Sequence, residues 1–293
     1  MTKSQTPTIL IVGTTGNIGR ELTKQLLAQK VPFRAMVRST KGLEAFSQIE
    51  GVELVIGDLN DAKTVADALK GIERAFLLTN SSEQAQTQQL TFVEEASRAG
   101  VKQIVKLSQW AADVNSPVRF LRYHAIVENK IEELGIAHTF LRPNLFMQGL
   151  LSFQQTIVNQ GKFFAAVGDA KISIVDVRDI AAVAAAALTE DGHAGKTYNI
   201  TGPEALSHQE MAEKLSTVLN RQIQFVDISP ESMGETLASI GFPNWQADGL
   251  IEDYAHYHRG EASTVTTDIK DVTGKPPHSF EEFARDYAPA FSD

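Results

Sequence analysis

"IVGTTGNIGRELTKQLL", residues 11–27, holds the turn on which the fold is decided. An apolar run stops at Gly13, two more glycines follow at three-residue spacing, and Asn17 then opens a stretch with Ile18, Leu22 and Leu26 at helical spacing. Strand, glycine turn and helix in that order form the context in which G-x-x-G-x-x-G points to a nucleotide. Gly13, Gly16 and Gly19, with Thr14, Thr15, Asn17 and Ile18 between them, would bring backbone N–H groups to a pyrophosphate at a helix N-terminus, where the peptide dipoles favour negative charge. A strand–helix turn that binds nothing uses the same residue type.

The rest of the first half repeats the rhythm. Strands are expected at Thr8–Val12, Phe33–Val37, Val52–Ile56, Arg74–Leu78, Gln103–Leu107 and His138–Leu141. Helical patterns lie between them at Asn17–Lys30, near Gly42–Ile49, and at Ala62–Leu69, Glu83–Ala99 and Pro117–Leu134. Alternation of this kind predicts an α/β chain with a Rossmann-like, doubly wound parallel sheet. After residue 150 the pattern changes: a helix around Leu151–Gln160, a strand "KISIV" (171–175), an alanine-rich helix (176–188), a strand and turn "KTYNITGP" (196–203) and a helix from Ser207. The expected division is a nucleotide-binding domain at 1–150, to which 171–200 returns, and a smaller C-terminal α/β substrate domain over most of 151–293. Such a domain is expected over the carboxyl ends of the strands, where open α/β sheets bind ligands.

Composition narrows the function. The 293 residues carry 27 Lys plus Arg against 36 Asp plus Glu, a net charge of −9 that argues against a nucleic-acid partner. Absence of cysteine excludes disulfides and thiolate metal sites. No apolar run suits a signal peptide or a membrane span, and a mean hydropathy of −0.14 suits a soluble, cytoplasmic protein. The seven histidines are scattered without metal-ligand spacing, so no metal is expected.

At the end of the second strand, where an acidic residue usually holds the ribose hydroxyls of NAD, the chain reads "VRS", placing Arg38 and Ser39 there with Lys41 close behind. An arginine at that point accommodates a 2′-phosphate, so NADP(H) is expected in preference to NAD(H).

The motifs "VGTTGNIG" (12–19), "GDLND" (57–61), "RAFLLTN" (74–80), "GIAHTFLRPNLFMQ" (135–148), "DVRDIA" (176–181), "YNITGPE" (198–204) and "VTTDIKDVTGKPPHSFEEFARD" (265–286) resemble the NmrA-like family of atypical short-chain dehydrogenase/reductases. That family includes NADPH-dependent quinone and triphenylmethane dye reductases beside regulators that only bind the dinucleotide. The resemblance implies that Asp58 and Leu59 sit by the adenine and that Leu78, Thr79 and Asn80 line the nucleotide. It implies further that Ser108 and Gln109 lie near the nicotinamide and that Pro143 and Asn144 form the loop covering it. Asp58 also suits a helix cap, and Asn80 an ordinary turn.

One departure bears on chemistry. Classical reductases pair a proton-donating Tyr with a Lys four residues on, but four residues after Tyr123 stands Val127. Ser116 can cap this helix with Pro117 at its first position. Phe120, Val127, Ile131 and Leu134 then form a buried stripe, with Tyr123 and His124 at its margins, about 100° apart. Relatives of the isoflavone-reductase type place a Lys near the position of His124; histidine there can donate a proton or hydrogen-bond a substrate. The candidate catalytic residues are therefore His124, Tyr123 and Ser108. Phe146, Met147, Phe153, Phe163 and Phe164, with Trp245, can wall an apolar pocket for a flat substrate or pack as core. The resulting expectation is hydride transfer from NADPH to a small aromatic acceptor such as a quinone. The alternative is a non-catalytic NADP(H) sensor acting through a regulatory partner. A homodimer is compatible with either, and no membrane partner is expected.

Overall fold

A computed structural model describes residues 7–39, 41 and 46–292. The chain forms two compact units: residues 1–114, 121–142 and 180–198 make the first, and 115–120, 143–179 and 199–293 the second. The boundary thus falls at 142/143, before residue 150, and of the segment 171–200 only 180–198 lies in the first unit.

The first unit is built on β1 (Ile9–Val12), α1 (Asn17–Ala28), β2 (Phe33–Val37), β3 (Val52–Ile56), α2 (Ala62–Ala68), β4 (Arg74–Leu77), α3 (Ala85–Ala99), β5 (Gln103–Leu107), α4 (Arg119–Glu133) and β6 (Ala137–Pro143). The short helix expected near 42–49 falls partly on residues 42–45, outside the described residues; a 3-10 turn, Phe46–Gln48, follows them. The strand order is β3-β2-β1-β4-β5-β6, all pairs parallel, with β8 (Lys196–Ile200) beside β6. Parallel strands covered on both faces need continuous apolar sequence, and β1, β2 and β5 are buried along their whole length. Phe76, Phe92 and Val127 are among the fully buried side chains of this core, each worth roughly 1.5–3 kcal/mol of apolar burial. The order reverses between β1 and β4, the point at which a doubly wound sheet binds its ligand.

In chain order the other elements are α5 (Gln154–Gln160), β7 (Lys162–Ala165), α6 (Val177–Thr189), α7 (His208–Leu219), β9 (Gln224–Asp227), α8 (Pro230–Ser239) and α9 (Asn244–His258). Three short helices close the chain, Asp268–Thr273, Phe280–Asp286 and Ala288–Phe291. Ser207 begins α7 with a reciprocal capping box to Glu210. "KISIV" is not a strand. Ile172 and Val175 make single bridges, to Leu206 and Phe146, and the segment is an apolar, buried connection. The strand pair of the second unit is β7 with β9. Among the described residues no helix is long and apolar enough to cross a membrane.

The start of α4 differs from expectation. Ser116 Oγ accepts from the Val118 amide at 3.1 Å, one residue before the helix, and the Arg119 amide donates to Glu252 at 2.8 Å. A carboxylate from α9, remote in sequence, thus takes the first amide of the helix. Phe120 also leaves the expected stripe: it packs on Trp245 at 5.5 Å between ring centroids, and a Cβ on Gly249 would meet it at 2.3 Å. Val127 and Ile131 belong to the core of the first unit, with Leu134 packed against it.

Candidate functional site

The glycine turn lies between the ends of β1 and β4. Gly13 has a φ of +82°, and a Cβ there would lie 2.4 Å from Leu78 Cδ2. A Cβ at residue 19 would lie 2.1 Å from the Gly13 carbonyl oxygen. Both positions therefore need glycine for the fold itself. Gly16 does not: its backbone is extended, and a Cβ there would meet nothing closer than 3.5 Å. Gly16 is also the N-cap of α1, which has no side-chain cap and no acidic residue in its first turn. An uncapped helix start with open space above a glycine suits an approaching anion. Thr14 is buried, while Thr15 and Asn17 are exposed beside it and Ile18 points into the core.

Arg38 and Ser39 follow β2 and are exposed, with Ser39 Oγ accepting from the Lys41 amide at 3.2 Å. After β3, Asp58 turns its carboxylate back onto Asn60, accepting from both its backbone and side-chain nitrogens at 2.9 Å. The cap of α2 is Asp61, not Asp58. Leu59 packs against the core of the first unit. Leu78 and Thr79 are half-buried after β4 and Asn80 is exposed. The buried Gln89 of α3 holds Thr79 Oγ1 at 2.7 Å, a supporting contact that no spacing in the sequence announces.

Ser108 ends β5 and is buried, its amide donating to Leu141 at 2.7 Å; among the described residues its hydroxyl has no partner. Half-buried Gln109 follows it. Tyr123 and His124 on α4 are both buried. Their polar atoms diverge: Tyr123 Oη lies 3.1 Å from Ser81 Oγ, whereas His124 Nδ1 lies 2.7 Å from Lys106 Nζ. The rings nevertheless touch, with centroids 4.2 Å apart. Burial first, and the Lys106 cation second, hold the His124 pKa well below its ordinary value. Lys106 itself is fully buried on β5, and desolvation pulls its pKa down to about 7. The sequence reading passed over this lysine, because one cation inside "QIVKL" carries no spacing signal toward a helix eighteen positions on.

In the second unit, Pro143 ends β6 and Asn144 is buried. The Asn144 amide nitrogen donates to Ser173 Oγ and the Ala262 carbonyl, both at 2.8 Å, while its oxygen accepts from the Leu145 amide at 2.8 Å. Its side chain thereby ties three segments of the second unit together. Beyond it opens an apolar cavity of about 270 Å³, lined by Phe146, Met147, Phe153, Phe163, Phe164 and Met233 among others. Trp245 does not line it; the indole packs on Phe120, with the Arg119 guanidinium 5.6 Å from its ring centre. His208 does line it, buried within 6.1 Å of the rings of Phe163, Phe225 and Tyr254. Desolvation lowers the His208 pKa to about 4, so the ring is neutral at physiological pH. Among the described residues no group of three His, Asp or Glu side chains gathers as metal ligands.

A sequence profile described as the NmrA-like family matches residues 5–284. The chain belongs to the NmrA-like family. Among its NmrA-like relatives, an NAD(P)H azoreductase of Xenophilus azovorans is 36% identical over 97% of this chain and 99% of its own length. The structure of an NADPH-dependent quinone oxidoreductase of Escherichia coli, complexed with NADPH, superposes with a TM-score of 0.86 at 28% identity, covering 94% of this chain and 98% of the other. A triphenylmethane reductase of Citrobacter sp., complexed with NADP(H), superposes with a TM-score of 0.83 at 26% identity, covering 96% and 99% of the two chains.

Proposed function

We propose that this NmrA-like chain is an NADPH-dependent reductase that passes hydride to a small aromatic acceptor, of which a quinone is the type. The observation that carries the reading is the start of α1: an uncapped helix N-terminus at the reversal of strand order, with open space above Gly16. Solved relatives that bear NADPH or NADP(H) support it.

The turn 13–19 would hold the pyrophosphate through backbone N–H groups. Arg38 and Ser39 would take the 2′-phosphate, which sets the preference for NADP(H) over NAD(H). Asp58, Leu59 and Leu78–Asn80 would flank the adenosine, and Ser108, Gln109, Pro143 and Asn144 the nicotinamide. When bound, the dinucleotide supplies the hydride. The acceptor would occupy the cavity of the second unit, against Phe146 and Met147. An apolar cavity of about 150 Å³ takes benzene, so about 270 Å³ suits a two-ring aromatic. A quinone or cationic dye is already electrophilic, so alignment does most of what a strong acid would otherwise do. Loss of the Tyr-x-x-x-Lys pair is tolerable on that chemistry, and His124, Tyr123 and Ser108 act as hydrogen-bonding groups.

The test is calorimetric titration with NADPH and NADH, followed by His124→Ala in the same assay series. NADPH should bind at least tenfold more tightly than NADH, and His124→Ala should cut turnover of a naphthoquinone while leaving NADPH affinity within twofold. Failure to bind either dinucleotide would remove the reading.

A further inference from the structure

The classical lysine is absent from α4, yet a lysine reaches the same helix from the sheet. Lys106 projects from the middle of the core, fully buried, and among the described residues no carboxylate lies within ion-pair distance of it. Its Nζ lies 2.7 Å from His124 Nδ1 and 3.1 Å from the Leu107 carbonyl. Across β4 its neighbour is Leu77, and across β6 Phe140, so the flanking strands offer it no acceptor side chain. A cation kept in that setting needs a reason, since desolvation of an ammonium is costly.

We propose that Lys106 is a positioning residue that fixes His124 as the neutral tautomer with its proton on Nε2, so that the imidazole offers a bound acceptor one hydrogen-bond donor. An ammonium group has three donors and no acceptor. A ring nitrogen 2.7 Å from it must therefore accept, and a neutral imidazole that accepts at Nδ1 carries its proton at Nε2. The Tyr123 ring, 4.2 Å away, holds the plane of the imidazole. Among the described residues Nε2 makes no hydrogen bond within the protein, which leaves it to a ligand. The donor suits a carbonyl oxygen, and His124 does not itself gain or lose a net proton in this role.

The charged groups around the pair are few. From α4, Glu128 favours the Lys106 cation; from β6, Arg142 opposes it. The two offset one another because Arg142 Nε donates to Glu128 at 3.1 Å. Burial then dominates, and Lys106 loses its proton at about pH 7. Above that point the neutral amine can accept as well as donate, and the tautomer of His124 is no longer fixed.

The inference rests on the reductase reading for the identity of the ligand, but its physical core does not. The experiment is nitrogen-15 NMR of histidine-labelled protein without added dinucleotide, titrated from about pH 6 to about pH 9. The expected result is an unprotonated Nδ1 on a neutral ring at the acid end, then a step in that signal near neutrality which Lys106→Met abolishes. A protonated Nδ1 at the acid end, no step in the natural protein, or a step that persists in Lys106→Met would each overturn the assignment. The natural protein decides the point even where the variant fails to fold. With a naphthoquinone acceptor, Lys106→Met should raise KM about tenfold and leave NADPH affinity unchanged; Lys106→Arg, charged at every pH, should restore KM. Unchanged KM in Lys106→Met would overturn the ligand-facing role. Absence of turnover in the natural protein would instead sink the reductase reading and leave the NMR result standing.

Discussion

Residue 19 meets residue 13 at a distance that no side chain allows: a Cβ on Gly19 would lie 2.1 Å from the Gly13 carbonyl oxygen, under its ordinary contact distance by more than an atom's give. Gly19→Ala should therefore destabilise the fold by roughly 1–3 kcal/mol or more, the range for an overpacked core. Chemical denaturation measures it directly.

Gly16→Ala separates fold from ligand. A Cβ there has 3.5 Å of room and the backbone is extended, so stability should stay within about 1 kcal/mol of the natural chain. The added methyl stands where an anion would approach, so NADPH affinity should fall at least tenfold. A normal affinity in Gly16→Ala would place the dinucleotide elsewhere.

Arg38 follows β2 with its side chain exposed. Arg38→Ala should weaken NADPH by tenfold or more and NADH by less than twofold, as loss of a charge-assisted contact of about 1.5–3 kcal/mol requires. Competitive titration of both nucleotides tests this, and equal losses would remove the basis for the preference.

Met233 lines the cavity of the second unit and is buried. Met233→Trp should fill part of that volume and raise KM for a two-ring acceptor severalfold, with NADPH affinity unchanged. A change in NADPH affinity alone would mean that the cavity is not the acceptor site.

Lys106 also links stability to pH. Its folded pKa of about 7 lies below the unfolded value of 10.5, so the unfolded chain holds more protons between these two values. The penalty of burying the cation is complete below about pH 7 and shrinks as pH rises, by at most about 1.4 kcal/mol per unit. Between about pH 7 and about pH 9 the natural protein should gain on the order of 2 kcal/mol relative to Lys106→Met, read from urea midpoints at each pH. A constant difference would show that Lys106 titrates normally.

The sheet was legible because parallel strands with both faces covered have little choice of residue: Thr8–Val12 and Phe33–Val37 read as strands in sequence, and Ile9–Val12 and Phe33–Val37 are strands in space. "KISIV" shows the limit of that reasoning, since Ile172, Ile174 and Val175 are buried and apolar without being paired as a strand. Lys162–Ala165 was missed for the converse reason, a four-residue strand whose partner, Gln224–Asp227, lies 62 positions on. The glycine turn at 13–19 stood out through its own local spacing. Lys106 and Glu252 did not, because their roles come from contacts across 18 and 133 positions that no local pattern records.

The most direct test of the account is the oxidation of NADPH by the purified protein with a panel of naphthoquinones, benzoquinones and triarylmethane dyes. The expected result is acceptor-dependent oxidation that saturates with a two-ring quinone and is slowed by His124→Ala. Tight NADPH binding with no oxidation by any acceptor would contradict it and make the chain a nucleotide-reading regulator.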